Sequence, residues 1–197
     1  MHLRKLILIL LITNSLSSLF AQPSWTLQKE DDQIKVYFRQ KQENLYEIRV
    51  NTSFDVSADY IIYHIENIEK YPEWVYRCTD AHFIENNPNS KIIRTITNIP
   101  WPFKDRDVIT KIHKPDKKGN ISSLYSEAIP DYYPPDKNYK RQEFAEAKWE
   151  LEEKGNKTIV TYYLNLRIEQ NVPEKILGMV VSKGPYESFL GLHERVK

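Results

Sequence analysis

Disulfide cross-links are closed to this chain, which carries a single cysteine, Cys78, among 197 residues. The fold must rest on an apolar core, and the residues beyond the N-terminal segment suffice for one domain of ordinary size. Cys78 reads as a small buried hydrophobe, with a reactive thiol as the other reading. Glycine is scarce too, at five residues, and none are grouped as a phosphate-cradling loop requires. The Gly-x-Ser-x-Gly elbow of hydrolases and the His-Glu-x-x-His pair of zinc peptidases are both missing. His64, His82, His113 and His193 lie far apart, with no i,i+4 pair among them, and one cysteine cannot build a thiolate cage. No metal and no cofactor are expected.

A charge excess is lacking as well. Setting Arg4 and Lys5 aside from the 28 basic residues leaves 26 against 27 acidic ones. That balance excludes the basic footprint of a nucleic-acid protein. The densest basic cluster, Lys114, Lys117 and Lys118 in KPDKKGN, reads as a solvated turn. Long hydrophobic runs are confined to residues 6–12 (LILILLI), well short of the ~20 residues that span a bilayer. Arg4 and Lys5 before this run and Ala21 after it give a signal peptide over residues 1–21, with an uncleaved N-terminal anchor as the alternative. Residues 22–197 are then expected as one exported domain, periplasmic or extracellular, soluble and monomeric.

Strand patterns dominate what is present. Residues 25–29 and 34–39 flank an Asp31-Asp32 turn, and residues 45–54 alternate with Tyr46, Ile48, Val50, Thr52 and Phe54 on one face. Asp55 or Ser57 can cap a helix reaching Ile68, with Ile61, Ile65 and Ile68 as its stripe and Pro72 as its stop. Further strands are expected over 81–85, 91–98, 105–113, 122–129, 139–152 and 157–169, separated by turn-rich segments. In the last of them Thr158, Val160, Tyr162, Leu164, Leu166 and Ile168 share one face. A helix from Pro173 to about Arg195 supplies the cover, through Ile176, Leu177, Val180 and Val181, with a kink at Gly184-Pro185. One long antiparallel sheet and one closing helix make an α+β domain in which the curved sheet wraps the helix. Such a sheet leaves room for a cavity.

The chain resembles the START family, the helix-grip lipid-binding superfamily, and in particular its small exported bacterial members. Trp25 and Leu27 with Ile34-Lys-Val-Tyr37 carry the likeness, as do Tyr71-Pro-Glu-Trp74 and the block from Pro100 to Asp107 (PWPFKDRD). Pro130-Asp131, Lys148-Trp-Glu-Leu151 and Gly184-Pro-Tyr-Glu187 follow in order, so the likeness covers nearly all of the chain after the N-terminal segment. The resemblance implies a U-shaped sheet gripping the last helix and a tunnel for a lipid or other hydrophobic molecule. It brings no invariant catalytic residues. Helix-grip cyclases and hydrolases keep an enzyme as an alternative by analogy, and a protein-interaction module with a filled core is a third reading.

Candidate ligand contacts follow from strand faces. Arg106, Val108, Thr110 and Ile112 share the better candidate for the inner face. An inward guanidinium needs partners, and Asp105, Asp107 and Glu127 are the candidates. Arg106 either orients a ligand head group or forms a structural ion pair. Trp101, fixed between Pro100 and Pro102, either fills the core or walls the cavity entrance, core filling being the default. Tyr125, Glu127, Trp149 and Tyr162 on strands and Val180 on the last helix complete the set. The Tyr132-Tyr133-Pro-Pro loop is either a packed surface loop or a transient membrane contact.

Overall fold

Alternation along the third strand is carried through in a computed structural model, which describes residues 24–88 and 90–197. Ile48, Val50, Thr52 and Phe54 are buried, while the residues between them are not. The signal peptide expected over residues 1–21 lies outside the described residues.

Among the described residues eleven strands form one sheet, antiparallel except at β9: β1 (Thr26–Glu30), β2 (Ile34–Gln42), β3 (Leu45–Phe54), β4 (Cys78–Asn86), β5 (Ser90–Thr97), β6 (Arg106–His113), β7 (Asp116–Lys118), β8 (Ile121–Ala128), β9 (Lys140–Arg141), β10 (Ala145–Lys154) and β11 (Lys157–Arg167). Their order is β1-β2-β3-β11-β10-β8-β6-β5-β4, with β7 paired to β8 and the two-residue β9 lying parallel to β6. The path is open, and both edge pairings contain bulges, at Leu27/Lys29 and at Cys78/Asp80 and Phe83/Glu85. Bulged, charged edges discourage pairing with another chain. Turn chemistry sets the hairpins. Asp31 Oδ1 accepts from the amides of Gln33 (2.8 Å) and Ile34 (2.7 Å), and Gly155 at φ 61° opens the two-residue turn between β10 and β11.

Two strand expectations change. The lysine-rich turn contains a real strand, β7, whose hairpin turns at Gly119 (φ 62°). The single strand expected over 139–152 is split, because Arg141 leaves the β10 line to bond the outer face of β6.

The helix after β3, α1 (Ala58–Glu66), starts where expected. Ser57 Oγ accepts from Tyr60 N at 3.3 Å, and Ala58, Ile61, Ile62 and Ile65 face the core. Pro72 does not stop the helical path. A 3-10 turn (Ile68–Lys70) leads into α2 (Tyr71–Trp74), where Pro72 takes a first-turn position that needs no amide. The C-terminal helix comprises α3 (Glu174–Gly178), a π segment (Met179–Lys183) and α4 (Gly184–Arg195). The expected irregularity at Gly184-Pro185 takes the form of this wide turn just before it, which suits a proline with no amide to donate. Tyr186 Oη donates to Asp31 Oδ2 (2.6 Å), tying α4 to the first hairpin. Phe189, Leu192 and Val196 bury themselves in the core with Ile34, Ile61, Leu151 and Val160. Cys78 is buried as expected, and burial pushes its thiol up to about 11.

Candidate functional site

Between the sheet and the C-terminal helix lies a cavity of about 720 Å³. Period-2 alternation builds its walls: Ile93, Thr95 and Thr97 of β5, and Arg106, Val108, Thr110 and Ile112 of β6. Register aligns Ile112 with Ser126, Ser126 with Ala147, and Ala147 with Leu164 across four strands. The two middle members of that row are small, and this is why the sheet does not meet the helix there. Ala145 and Ala147, although on the inner face, are only half-buried, because they border a hollow. Ile176, Met179 and Val180 of the helix close the other side.

One end of the cavity is aromatic. The ring of Trp149 lies 4.5 Å from Tyr162 and 5.2 Å from Phe189. Burial drives the Tyr162 and Tyr71 hydroxyls above the ordinary tyrosine range, so neither ionises near neutral pH. The other end opens to solvent through a charged rim. Arg106 Nη2 meets Glu169 Oε2 at 3.3 Å, and Lys140 Nζ meets Glu169 Oε1 at 3.1 Å.

The three charges at the start of β6 have three separate tasks. Asp105 Oδ1 accepts from Ile99 N (2.8 Å) and Asn98 Nδ2 (2.9 Å), which pins the base of the Pro100–Pro102 turn. Arg106 points into the cavity. Asp107 points the other way and is 1% exposed, joined to Arg141 (2.9 Å) and Arg94 (3.3 Å). Arg141 also donates to the carbonyls of Pro130, Tyr133 and Pro134, and Arg94 lies over the Tyr139 ring at 5.2 Å. The Tyr132-Tyr133 backbone is thereby strapped to the outer face of the sheet, while both tyrosine side chains stay exposed.

Of the sequence-derived candidates, Arg106, Trp149, Tyr162 and Val180 line one cavity. The other three do not. Trp101 is 92% exposed, neither core nor cavity wall. The turn that Asp105 pins sends Phe103 to the cavity instead. Tyr125 and Glu127 sit on the outer face of β8, because the register places Leu124, Ser126 and Ala128 inward. Glu127 there bonds His113 (Nε2–Oε1 2.8 Å). None of the partners foreseen for Arg106 serves; Glu169, just past β11, does. Sequence reading also missed Ala128, Ala145 and Ala147, whose small size makes the hollow. The alternation Ala145-Glu-Ala-Lys-Trp149, small residues on the face that Trp149 shares, was the available signal.

Among the described residues no helix is long and apolar enough to cross a membrane, and no group of His, Cys, Asp and Glu could hold a metal ion. No family model matches the chain. An uncharacterized protein of Pseudomonas aeruginosa is 23% identical over 171 residues, covering 85% of this chain and 84% of its own length. The crystal structure of a STAR-related lipid transfer protein from Xanthomonas axonopodis superposes with a TM-score of 0.78 at 22% identity, over 87% of this chain and 98% of that one. Human STARD10 gives 0.74 at 17% identity, over 93% and 77%. The Zhui aromatase/cyclase of Streptomyces is more distant, at 0.56 and 6% identity, over 77% and 93%. The curved open sheet, the gripped C-terminal helix and these superpositions together establish a START-type helix-grip fold.

Proposed function

We propose that the chain binds a lipid or other hydrophobic molecule in this cavity and carries it chemically unchanged. The observation that carries the reading is the hollow of about 720 Å³, which falls in the ~300–1,000 Å³ span of small-molecule sites. Its walls are mostly apolar, with a charged rim at one end, the arrangement an amphiphile fits. Trp149, Tyr162 and Val180 would touch the apolar body and Arg106 the polar end. Aromatase/cyclases share the fold, so the fold alone assigns no reaction. The carrier acts as an exported monomer that touches membranes transiently, and sequencing the N-terminus of the exported protein, expected to begin at Gln22, tests the first part.

Native mass spectrometry of the freshly purified protein tests the binding itself. Discrete added masses that organic extraction removes are expected, and Ala147→Trp, which obstructs the middle of the hollow, should carry much less of them. A wild-type protein that stays unliganded and takes up nothing from a lipid extract overturns the reading.

A further inference from the structure

Charge is balanced over the whole chain but not over the cavity wall. Arg77, Arg106, Lys140, Arg141 and Arg167 line it, against Glu143 and Glu169. Arg141 is committed to Asp107 on the far side of the sheet. Arg77 spends its guanidinium on a neutral partner, with Nε donating to Asn98 O at 2.8 Å. Arg167 lies over the Phe144 ring at 5.8 Å and forms no ion pair among the described residues. Arg106 and Lys140 share one carboxylate, that of Glu169.

These cations converge because the topology brings them together. Arg106 begins β6, Lys140 pairs with it in β9, and Arg167 ends β11. Arg106 is the deeper partner of its ion pair, at 22% side-chain exposure against 50% for Glu169. A guanidinium at that depth needs a counter-ion, and Glu169 supplies it from the solvent side. Burial opposes the Glu169 charge, but the Lys140 hydrogen bond and the Arg106 charge outweigh it and hold the carboxyl below the ordinary glutamate range.

We propose that the ligand is an amphiphile with an anionic head group, carboxylate or phosphate, and that this group replaces the Glu169 carboxylate on Arg106 and Lys140. The proposal rests on the cavity being the ligand site. Guanidinium pairs strongly with either anion, while a half-exposed carboxylate gives up its ion pair at little cost. A neutral head group offers nothing in exchange for Glu169, so the rim selects against it.

The test titrates the protein, stripped of bound material, with oleate, oleoyl-lysophosphatidate and oleyl alcohol, which share one chain and differ in the head group. At least one anion should bind about tenfold or more tightly than the alcohol at low salt. Whichever anion is favoured identifies the head group. Glu169→Gln should tighten the anions by about threefold and leave the alcohol unchanged, since it removes the competitor. Arg106→Met should bring the anions to the level of the alcohol. Glu169→Gln lies on the rim and keeps the test decisive even if Arg106→Met folds poorly. Equal affinity for all three probes overturns the anion proposal and leaves hydrophobic binding standing. Failure of all three to bind overturns the binding reading and the inference with it.

Discussion

The two ends of β10 face the same helix and end differently. Its inward residues run Ala145, Ala147, Trp149, Leu151, from a hollow at one end to a fully buried side chain at the other. The helix mirrors this change. Phe189, Leu192 and Val196 at its far end are buried, whereas α3 has no buried residue. At the solid end Gly191 lies so close to α2 that an added Cβ would come within 2.7 Å of the Trp74 carbonyl oxygen. One end of the domain supplies stability and the other forgoes it, since an unfilled space costs both transfer energy and contacts. Side-chain size, alternating with strand period, decides which end is which.

The sharpest way to break this division is to hollow the solid end. Leu151→Ala should cost about 2–5 kcal/mol in chemical denaturation, because the residue is fully buried among Ile34, Ile61 and Val160. Gly191→Ala should follow at about 1–3 kcal/mol, since backbone rather than a flexible side chain blocks the new methyl group. The converse change, Ala147→Phe, should cost less than about 1.5 kcal/mol, because the hollow has room for the ring. It should nevertheless abolish ligand uptake, measured by extraction and mass spectrometry. Loss of several kcal/mol from Ala147→Phe would mean that the two ends are packed alike.

The solid end was the more legible of the two in the sequence. Ile48, Val50 and Phe54 on β3, and Val160 on β11, announce their buried face by alternation alone. Ser57 and the isoleucines of α1 do so by capping and helical period. The hollow reads less easily, because an inward alanine and an outward one look alike without the register. Trp149 was ambiguous for a related reason: an aromatic ring suits core, cavity and surface equally, whereas Tyr162 shared the apolar face of its strand. Register also settled Tyr125 and Glu127, which fall on the outer face once Ser126 is paired with Ala147 and Ile112. Glu169 was out of reach, since it meets Arg106 across 63 residues of chain. Trp101 was misleading, because size and rigidity suggested burial while the hydrogen bonds of Asp105 direct the turn outward.

Acidification should weaken the two ends unequally. His193 Nε2 lies 2.7 Å from Thr52 Oγ1, and its ring stacks on Phe54 with centroids 4.1 Å apart. Burial lowers its pKa despite the opposing pull of Asp31, and burial together with the Arg195 charge lowers that of His64. Each folded-state pKa therefore lies below the unfolded value, so the unfolded chain takes up protons first. Stability should be flat above about pH 7 and fall as the pH drops below about 6.5, by up to about 1.4 kcal/mol per pH unit for each histidine. Both belong to the solid end, and the Glu169 rim stays ionised throughout this window. Urea midpoints should thus drop between pH 7 and 5, and His193→Gln should flatten the curve. A midpoint independent of pH across this range would remove the buried histidines from the account.

The smallest stability effect belongs to Trp101. Its side chain is 92% exposed, so Trp101→Ala should shift the unfolding free energy by no more than about 0.5 kcal/mol. An indole held in water by a pinned turn is of the amphipathic kind that favours a membrane interface. Phe103, two residues along the same turn, borders the cavity, so the exposed ring and the ligand space share one short stretch of backbone. Co-sedimentation with phospholipid vesicles should therefore weaken in Trp101→Ala, while affinity for a ligand presented in solution stays unchanged. If the variant sediments like wild type, the turn plays no part in membrane contact. If it loses soluble ligand as well, the turn belongs to the cavity wall after all, and the boundary between the outside and the hollow end must be redrawn there.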